Sequence, residues 1–409
     1  MSKYPSSKTE ARASALLSKT FPIRTAQSRL IDSLPGEVCT ETVGVTDLRN
    51  PDTGSAIRVY YPASKPVTKI MAWYEGEPKT IMKPVENPPG VKVFRNGLPY
   101  FGAAYVWVFV HIFNVPNYLF RFVIYPILYP FLYFSPLNHF HLPCAIRDAP
   151  PLHSKKNAKY PLVAWSHGLT GTGDEHGLLA IAMAKRGYVF ALPHHSDGSS
   201  AYTDLENNTH IPYKKPIFSN YDKSFRQNQV AKRVSELNGA VDQVLKHPDL
   251  SEFVDSSNLF CGGFSFGGAT AGAAASAPGK AKSRFKAAVL IDGWYHIYFP
   301  KFNIDVNLPL ELHSAATSLK IPSLFIGSEE FSKQEKLQAA TVRVQKLCKP
   351  EAEVHVLPGT KHGIFMEAMY WIPSYITARI GMVGDTKEDC FTTYFEYASL
   401  VFLFLEKNR

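Results

Sequence analysis

The run Cys261-Gly262-Gly263-Phe264-Ser265-Phe266-Gly267-Gly268 constrains this chain more than any other stretch, because it sets a serine between glycines at a strand-to-helix turn. Upstream stands the short apolar Asn258-Leu259-Phe260. Downstream, Ala269 to Ala275 is built of small residues suited to a helix packed closely on a sheet. A serine on so sharp a turn needs neighbours without Cβ atoms, which the glycines supply. Its Oγ then projects where a histidine can reach it, and the N–H of Phe266 can point at a developing negative oxygen. Ser265 is therefore the candidate nucleophile.

The rest of the chain predicts the sheet such a turn requires. Val43 to Asp47 and Ile57 to Tyr61 read as paired strands across the turn-rich Asn50 to Gly54, and Pro62 to Asn96 reads as a Pro- and Lys-rich loop. Leu162-Val163-Ala164-Trp165 is a continuous apolar run of the buried parallel type, followed by the loop Ser166 to Gly171. A helix is predicted over 178–185, a strand over 188–192, and a polar loop through His194, His195 and Asp197. Residues 223–246 read as a long charged helix with Val230, Val234, Leu237, Val241 and Val244 on one stripe. Strands over 287–291, 323–326 and 354–357 follow, with a helix over 333–346 between the last two. Alternation of this kind implies a mostly parallel sheet with helices on both faces, the α/β class.

A serine needs a base within hydrogen-bond reach and a carboxylate to hold that base in the right tautomer. Where such triads sit on an α/β-hydrolase sheet, the chain order is serine, acid, histidine. Four histidines follow Asp292: His296, His313, His355 and His362. Only His362 occupies the loop directly after the last predicted strand, so it is the candidate base. Two places compete for the acid. Asp292 ends the strand 287–291, while Glu329 and Glu330 lie one strand later. The second oxyanion donor belongs to the loop after Trp165, at Gly168 or Leu169, beside the amide of Phe266.

Composition narrows the class further. Lys and Arg number 44 against 35 Asp and Glu, for a net charge of +9. That bias suits anionic surfaces but is too diffuse for nucleic acid, and no zinc-type Cys/His spacing is present. Neither a cofactor nor a metal is expected. Five widely spaced cysteines imply no disulfide framework and favour a reducing, intracellular compartment. Residues 1–40 read as a basic extension, either a disordered tail or an organelle-targeting segment, with no secretory signal. Residues 41–409 are expected to form one catalytic domain.

Within it, residues 98–146 are a different material. Fifteen aromatic residues fall between Tyr100 and Phe140, and Arg121 is the sole Asp, Glu, Lys or Arg of the segment. Asn114, Pro116, Asn117, Pro126 and Pro130 interrupt it, against a need for about 20 continuous apolar residues in a spanning helix. A membrane-interface element, a lid over the site and a spanning segment are the three readings.

These residues resemble the platelet-activating-factor acetylhydrolases of the group VII phospholipase type. The likeness runs from about Ile57 to the final helix around Ala398 to Leu403. It is carried by Tyr160-Pro161-Leu162-Val163 with Ser166-His167-Gly168-Leu169, by Gly263 to Thr270, and by Ile291-Asp292-Gly293-Trp294. The resemblance implies an α/β-hydrolase fold, Asp292 as the acid, His362 as the base and Leu169 as the second oxyanion donor. Ser328-Glu329-Glu330-Phe331 matches a family segment whose glutamate is not the acid. An interfacial helix is implied at Ala368 to Pro373. The chain departs from the pattern at Phe264, where animal members carry histidine, and in the length of its aromatic block.

The expected activity is calcium-independent hydrolysis of the sn-2 acyl ester of phospholipids with short or oxidised chains, at a peripheral membrane surface. Two alternatives stand beside it: a general carboxylesterase or sn-1 lipase on the same triad, and a non-catalytic membrane-associated protein.

Overall fold

The computed structural model describes residues 34–74, 77–85, 90–93, 117–119, 141–153, 158–206, 209–214, 220–276, 283–299, 303–309, 318–367 and 390–409, with a few positions between them. Most of the basic extension, most of the aromatic block and the segment Ala368 to Pro373 lie outside these residues. Of the block, Tyr118, Phe122 and Ile127 are described and exposed. No helix among the described residues is long and apolar enough to cross a membrane.

Among the described residues, ten strands form the central sheet: β1 (Thr42–Arg49), β2 (Ala56–Ala63), β3 (Gly90–Lys92), β4 (His141–Arg147), β5 (Tyr160–Ser166), β6 (Val189–Pro193), β7 (Val254–Phe264), β8 (Ala287–Ile291), β9 (Ser323–Ser328) and β10 (Glu353–Leu357). Their order is β10-β9-β8-β7-β5-β6-β2-β1-β4-β3. The strands from β10 to β6 pair in parallel. β2 then joins β6 antiparallel and pairs antiparallel with β1, through Asn50-Pro51-Asp52-Thr53-Gly54 as expected.

Strict alternation explains why the parallel strands read as unbroken apolar runs. On β5, Val163 and Trp165 enter one core with Phe260, Val289, Ile291 and Leu324, while Leu162 and Ala164 enter the other with Cys261, Ala288 and Leu290. Each face needs its own cover. The first is covered by α1 (Gly177–Ala184) and α6 (Cys390–Lys407), and the second by α2 (Ser224–Lys246), α3 (Phe266–Ala275) and α5 (Glu335–Gln345). This is the α/β-hydrolase arrangement.

Two readings of the sequence need correction. His141–Arg147, placed with the aromatic block, is strand β4, parallel to β1 through Val43↔Ala145 and Val45↔Arg147. No alternation announces it: Leu142 and Ala145 are buried, the exposed Cys144 between them sits at φ 57°, and the aromatic run leads straight into the strand. The stretch from Pro62 to Asn96 is no simple loop, since Val67–Tyr74 and Glu77–Pro84 pair as an antiparallel hairpin. Lysine and proline conceal its strand-forming Val, Ile, Trp and Tyr.

Beyond the last strand, Glu367 ties the chain back to α1. Its two carboxylate oxygens accept the N–H groups of Leu178 and Leu179, each at 3.0 Å, and the Tyr394 hydroxyl also donates to it. Burial pushes this carboxyl up to about 7. A carboxyl raised above its unfolded value holds its proton in the folded state, so its contribution is complete below the ordinary glutamate range and fades as pH rises toward 7. The expected loss is about 3 kcal/mol between pH 4.5 and 7. Denaturant titrations across that range should show the slope in the native chain and its flattening in Glu367→Gln.

Candidate active site

β7 delivers Ser265 and α3 carries the chain away. Ser265 sits at φ 58°, ψ −119°, a conformation that costs a non-glycine residue about 1–3 kcal/mol and persists only where surroundings hold it. Those surroundings are visible. Ser265 N–H donates to Ile291 O at 2.8 Å, and Ser265 O accepts Trp294 N–H at 2.9 Å. Glycine is required at two neighbouring positions by close approach. A Cβ on Gly263 would run into the Gly267 carbonyl, and one on Gly267 into the Ser166 carbonyl.

His362 and Asp292 arrive from separate strand ends. His362 Nε2 lies 3.0 Å from Ser265 Oγ, and its Nδ1 lies 2.8 Å from Asp292 Oδ2. The carboxylate is buried, and Ser328 fills its remaining capacity: the Ser328 N–H donates to Oδ1 at 2.7 Å and the hydroxyl to Oδ2 at 2.6 Å. Ser328 Oγ in turn accepts Phe331 N–H at 3.2 Å, capping the short helix α4 (Glu329–Ser332). The imidazole packs against two rings. Phe331 is parallel to it within 3° at 4.0 Å, and Phe264 meets it at 4.6 Å, tilted by 32°.

Glu329 and Glu330, the alternative acids, are engaged elsewhere. Glu330 Oε2 accepts the backbone N–H of His362 at 2.8 Å, and Glu329 accepts that of Gly359. Both glutamates therefore hold the loop that carries the histidine, and the imidazole itself meets Asp292. Of the other histidines, His296 pairs with Asp305 and His355 with Glu353, and His313 lies outside the described residues.

The loop after β5 closes on the serine from the other side. Gly168 packs so near that a Cβ there would stand 3.4 Å from Ser265 Cβ. Leu169 lies against the cluster that contains the Phe266 side chain. Of the two candidate amide donors, Phe266 follows the nucleophile directly in the chain, and Leu169 follows Gly168, the residue packed against it. Among the described residues, no group of three or more His, Cys, Asp or Glu side chains is placed to hold a metal ion.

Over residues 132–409 the sequence matches the family described as platelet-activating factor acetylhydrolase, isoform II. The chain belongs to this family. Relatives include the platelet-activating factor acetylhydrolase of Gallus gallus, 25% identical over 283 residues, covering 61% of this chain and 62% of that protein. The Cavia porcellus protein of the same name is 25% identical over 276 residues, covering 61% and 58%. The chain therefore spans about three fifths of the length of these curated relatives. Among solved structures, a ferulic acid esterase from Streptomyces cinnamoneus superposes with a TM-score of 0.58 at 17% identity, covering 92% of each chain. That likeness speaks for the fold.

In this member of the acetylhydrolase family, sequence reasoning missed a second, buried array. Ser166 Oγ lies 2.8 Å from His195 Nε2, and His195 Nδ1 lies 2.9 Å from Glu236 Oε2. The pattern copies a serine triad, but Ser166 and His195 are wholly buried and Ser166 ends an ordinary strand. Burial holds His195 well below the usual histidine range and pushes Glu236 up. The array anchors the end of β5 and leads into the loop of Gly168 and Leu169. Its sequence signal lies on α2: Arg226, Gln229, Arg233 and Glu236 recur at the spacing of the apolar stripe and are buried with it.

Proposed function

We propose that this chain is a serine-dependent carboxylic ester hydrolase acting on the sn-2 acyl ester of phospholipids with short or oxidised chains. The observation that carries the reading is the continuous line Ser265 Oγ–His362 Nε2 and His362 Nδ1–Asp292, at 3.0 and 2.8 Å, on a strained turn. Ser265 Oγ attacks the acyl carbonyl while His362 takes its proton. The tetrahedral oxygen is received by the amides of Leu169 and Phe266. His362 then protonates the departing lyso-lipid oxygen, and water repeats the sequence to release the acid. Nucleophile, base and oxyanion donors all come from the chain, so the chemistry calls for no calcium.

Support for a lipid ester comes from the walls near the triad. A cavity of about 430 Å³ is lined by the aromatic Trp294, Tyr298 and Phe331 together with Leu337 and the polar His296, Gln334, Glu335 and Lys336, the last paired with Asp305. Trp294 is two residues from Asp292, and Phe331 is the ring stacked on His362. Exposed Tyr118, Phe122 and Ile127 suit contact with a membrane surface.

The test is hydrolysis, in chelator, of a phospholipid with a labelled sn-2 acetyl and a differently labelled sn-1 chain. Release of acetate that disappears in Ser265→Ala is the expected result. Release from sn-1 would make the chain a lipase of other specificity. Release that survives in Ser265→Ala would remove Ser265 from the chemistry.

A further inference from the structure

We propose that Arg233 is a positioning residue that sets the oxyanion site, an inference that rests on the serine-hydrolase reading above. Arg233 lies midway along α2 and is 0% exposed. Its Nη1 donates to His167 O at 2.6 Å and its Nη2 to Gly168 O at 3.3 Å. On its other side Nε donates to Ser199 Oγ at 2.8 Å and meets Asp197 Oδ2 at 3.3 Å. The guanidinium carbon stands 4.6 Å from the centre of the Phe266 ring.

These contacts fall on both halves of the oxyanion site. The Gly168 carbonyl and the Leu169 N–H belong to one rigid peptide plane, in which oxygen and hydrogen point opposite ways. A donor that fixes the oxygen therefore fixes where the hydrogen points. The His167 carbonyl and the Gly168 N–H form the preceding plane, held by the other nitrogen of the same fork. A cation on the oxygen side also draws electron density from the peptide and leaves its N–H a stronger donor. His167 Nδ1, 2.8 Å from Gly168 O, adds to the hold on that oxygen. Across the fork, the Phe266 ring against the guanidinium ties the residue of the second amide to the same group.

Neutralising the buried charge needs only Asp197. What Asp197 leaves unexplained is why both η nitrogens are committed to successive carbonyls of one loop. Lysine could neutralise Asp197 equally well but has no planar fork to span two oxygens. Donors preset toward a developing oxyanion act on the transition state and little on the bound ester, so the signature is a loss in kcat with KM held.

The experiment compares Arg233→Met and Arg233→Lys with the native chain on p-nitrophenyl acetate. A 13C-carbonyl trifluoromethyl ketone reports the ionisation of its tetrahedral adduct by NMR. Expected are a tenfold to hundredfold fall in kcat for Arg233→Met, a smaller fall for Arg233→Lys, KM within twofold, and an adduct that ionises at higher pH. Unchanged kcat and adduct ionisation in folded variants overturn the proposal, even where stability falls. If neither variant folds, Phe266→Leu decides, because it withdraws the ring under the guanidinium and keeps the amide. A threefold or larger loss confined to kcat then supports the proposal, and an unchanged kcat overturns it. Turnover that survives in Ser265→Ala would overturn the hydrolase reading and this proposal together. Ser265-dependent turnover indifferent to Arg233 would sink the present one alone.

Discussion

Asp292→Asn should lower kcat by about four orders of magnitude while the protein folds normally. The reason lies in how the carboxylate is held. Its Oδ1 accepts the Ser328 N–H at 2.7 Å, so an asparagine at this position would place its carbonyl oxygen there. The amide NH2 would then face His362 Nδ1, where a hydrogen-bond acceptor stands now. Facing a donor, the imidazole would carry its proton on Nε2 and could not take one from Ser265. Glu329→Gln and Glu330→Gln keep the acceptors that hold the histidine loop and should each cost less than about tenfold. Turnover of a chromogenic acetate, with thermal melting as the control for folding, checks all three. A loss in Glu330→Gln equal to that in Asp292→Asn would refute the assignment of the acid.

Gly267→Ala should be the most damaging glycine-to-alanine change among the described residues, with an expected cost above about 3 kcal/mol. The added Cβ would enter the carbonyl of Ser166. That carbonyl has nowhere to go. Ser166 is paired with Gly263 across β5 and β7, and its side chain is tied to His195. Relief can come only by prising α3 from the sheet, which would carry Ser265 away from His362. Gly239→Ala on α2 is the matched control. Its Cβ would meet only Asn50 Nδ2, at 3.4 Å, and replacing glycine inside a helix should stabilise by about 0.5–1 kcal/mol. Denaturant unfolding of the two variants should therefore move in opposite directions.

The parts legible in the sequence were those where one physical constraint acts alone. Ala287–Ile291 is buried on both faces and reads as an unbroken apolar run. Ser265 stands out because two backbones approach too closely for any residue but glycine at 263 and 267. The α/β order followed from the same runs. Elements governed by two competing demands were concealed. β4 follows directly on an aromatic stretch and is broken at Cys144, at φ 57°, so no alternating pattern marks it, and the hairpin over 67–84 carries the lysines and prolines of a loop. The acid could not be settled from position, because Asp292 and Glu329 both follow strand ends. The contact of the His362 imidazole with Asp292 distinguishes them, and it spans 70 residues. Arg233 was hidden for another reason. On a helix rich in Lys, Arg, Asp and Glu, a charged residue reads as solvated unless its register with the apolar stripe is noticed.

The slot that holds His362 carries a consequence for stereochemistry. With Phe331 flat on the imidazole at 4.0 Å and Phe264 packed against it at a 32° tilt, the easiest motion left to the ring is a rocking in its own plane about the contact with Asp292. The proton on Nε2 therefore travels along an arc, and only an alcohol oxygen lying on that arc can collect it as the ester breaks. Mirror-image alcohols can seat the same acyl group against Ser265 but carry their substituents on opposite sides of the alcohol oxygen, so one hand is crowded off the arc that the other occupies. In an ester hydrolase built this way, handedness is read at the exit of the alcohol, by where a proton can be delivered, and the acyl pocket need take no part in the choice.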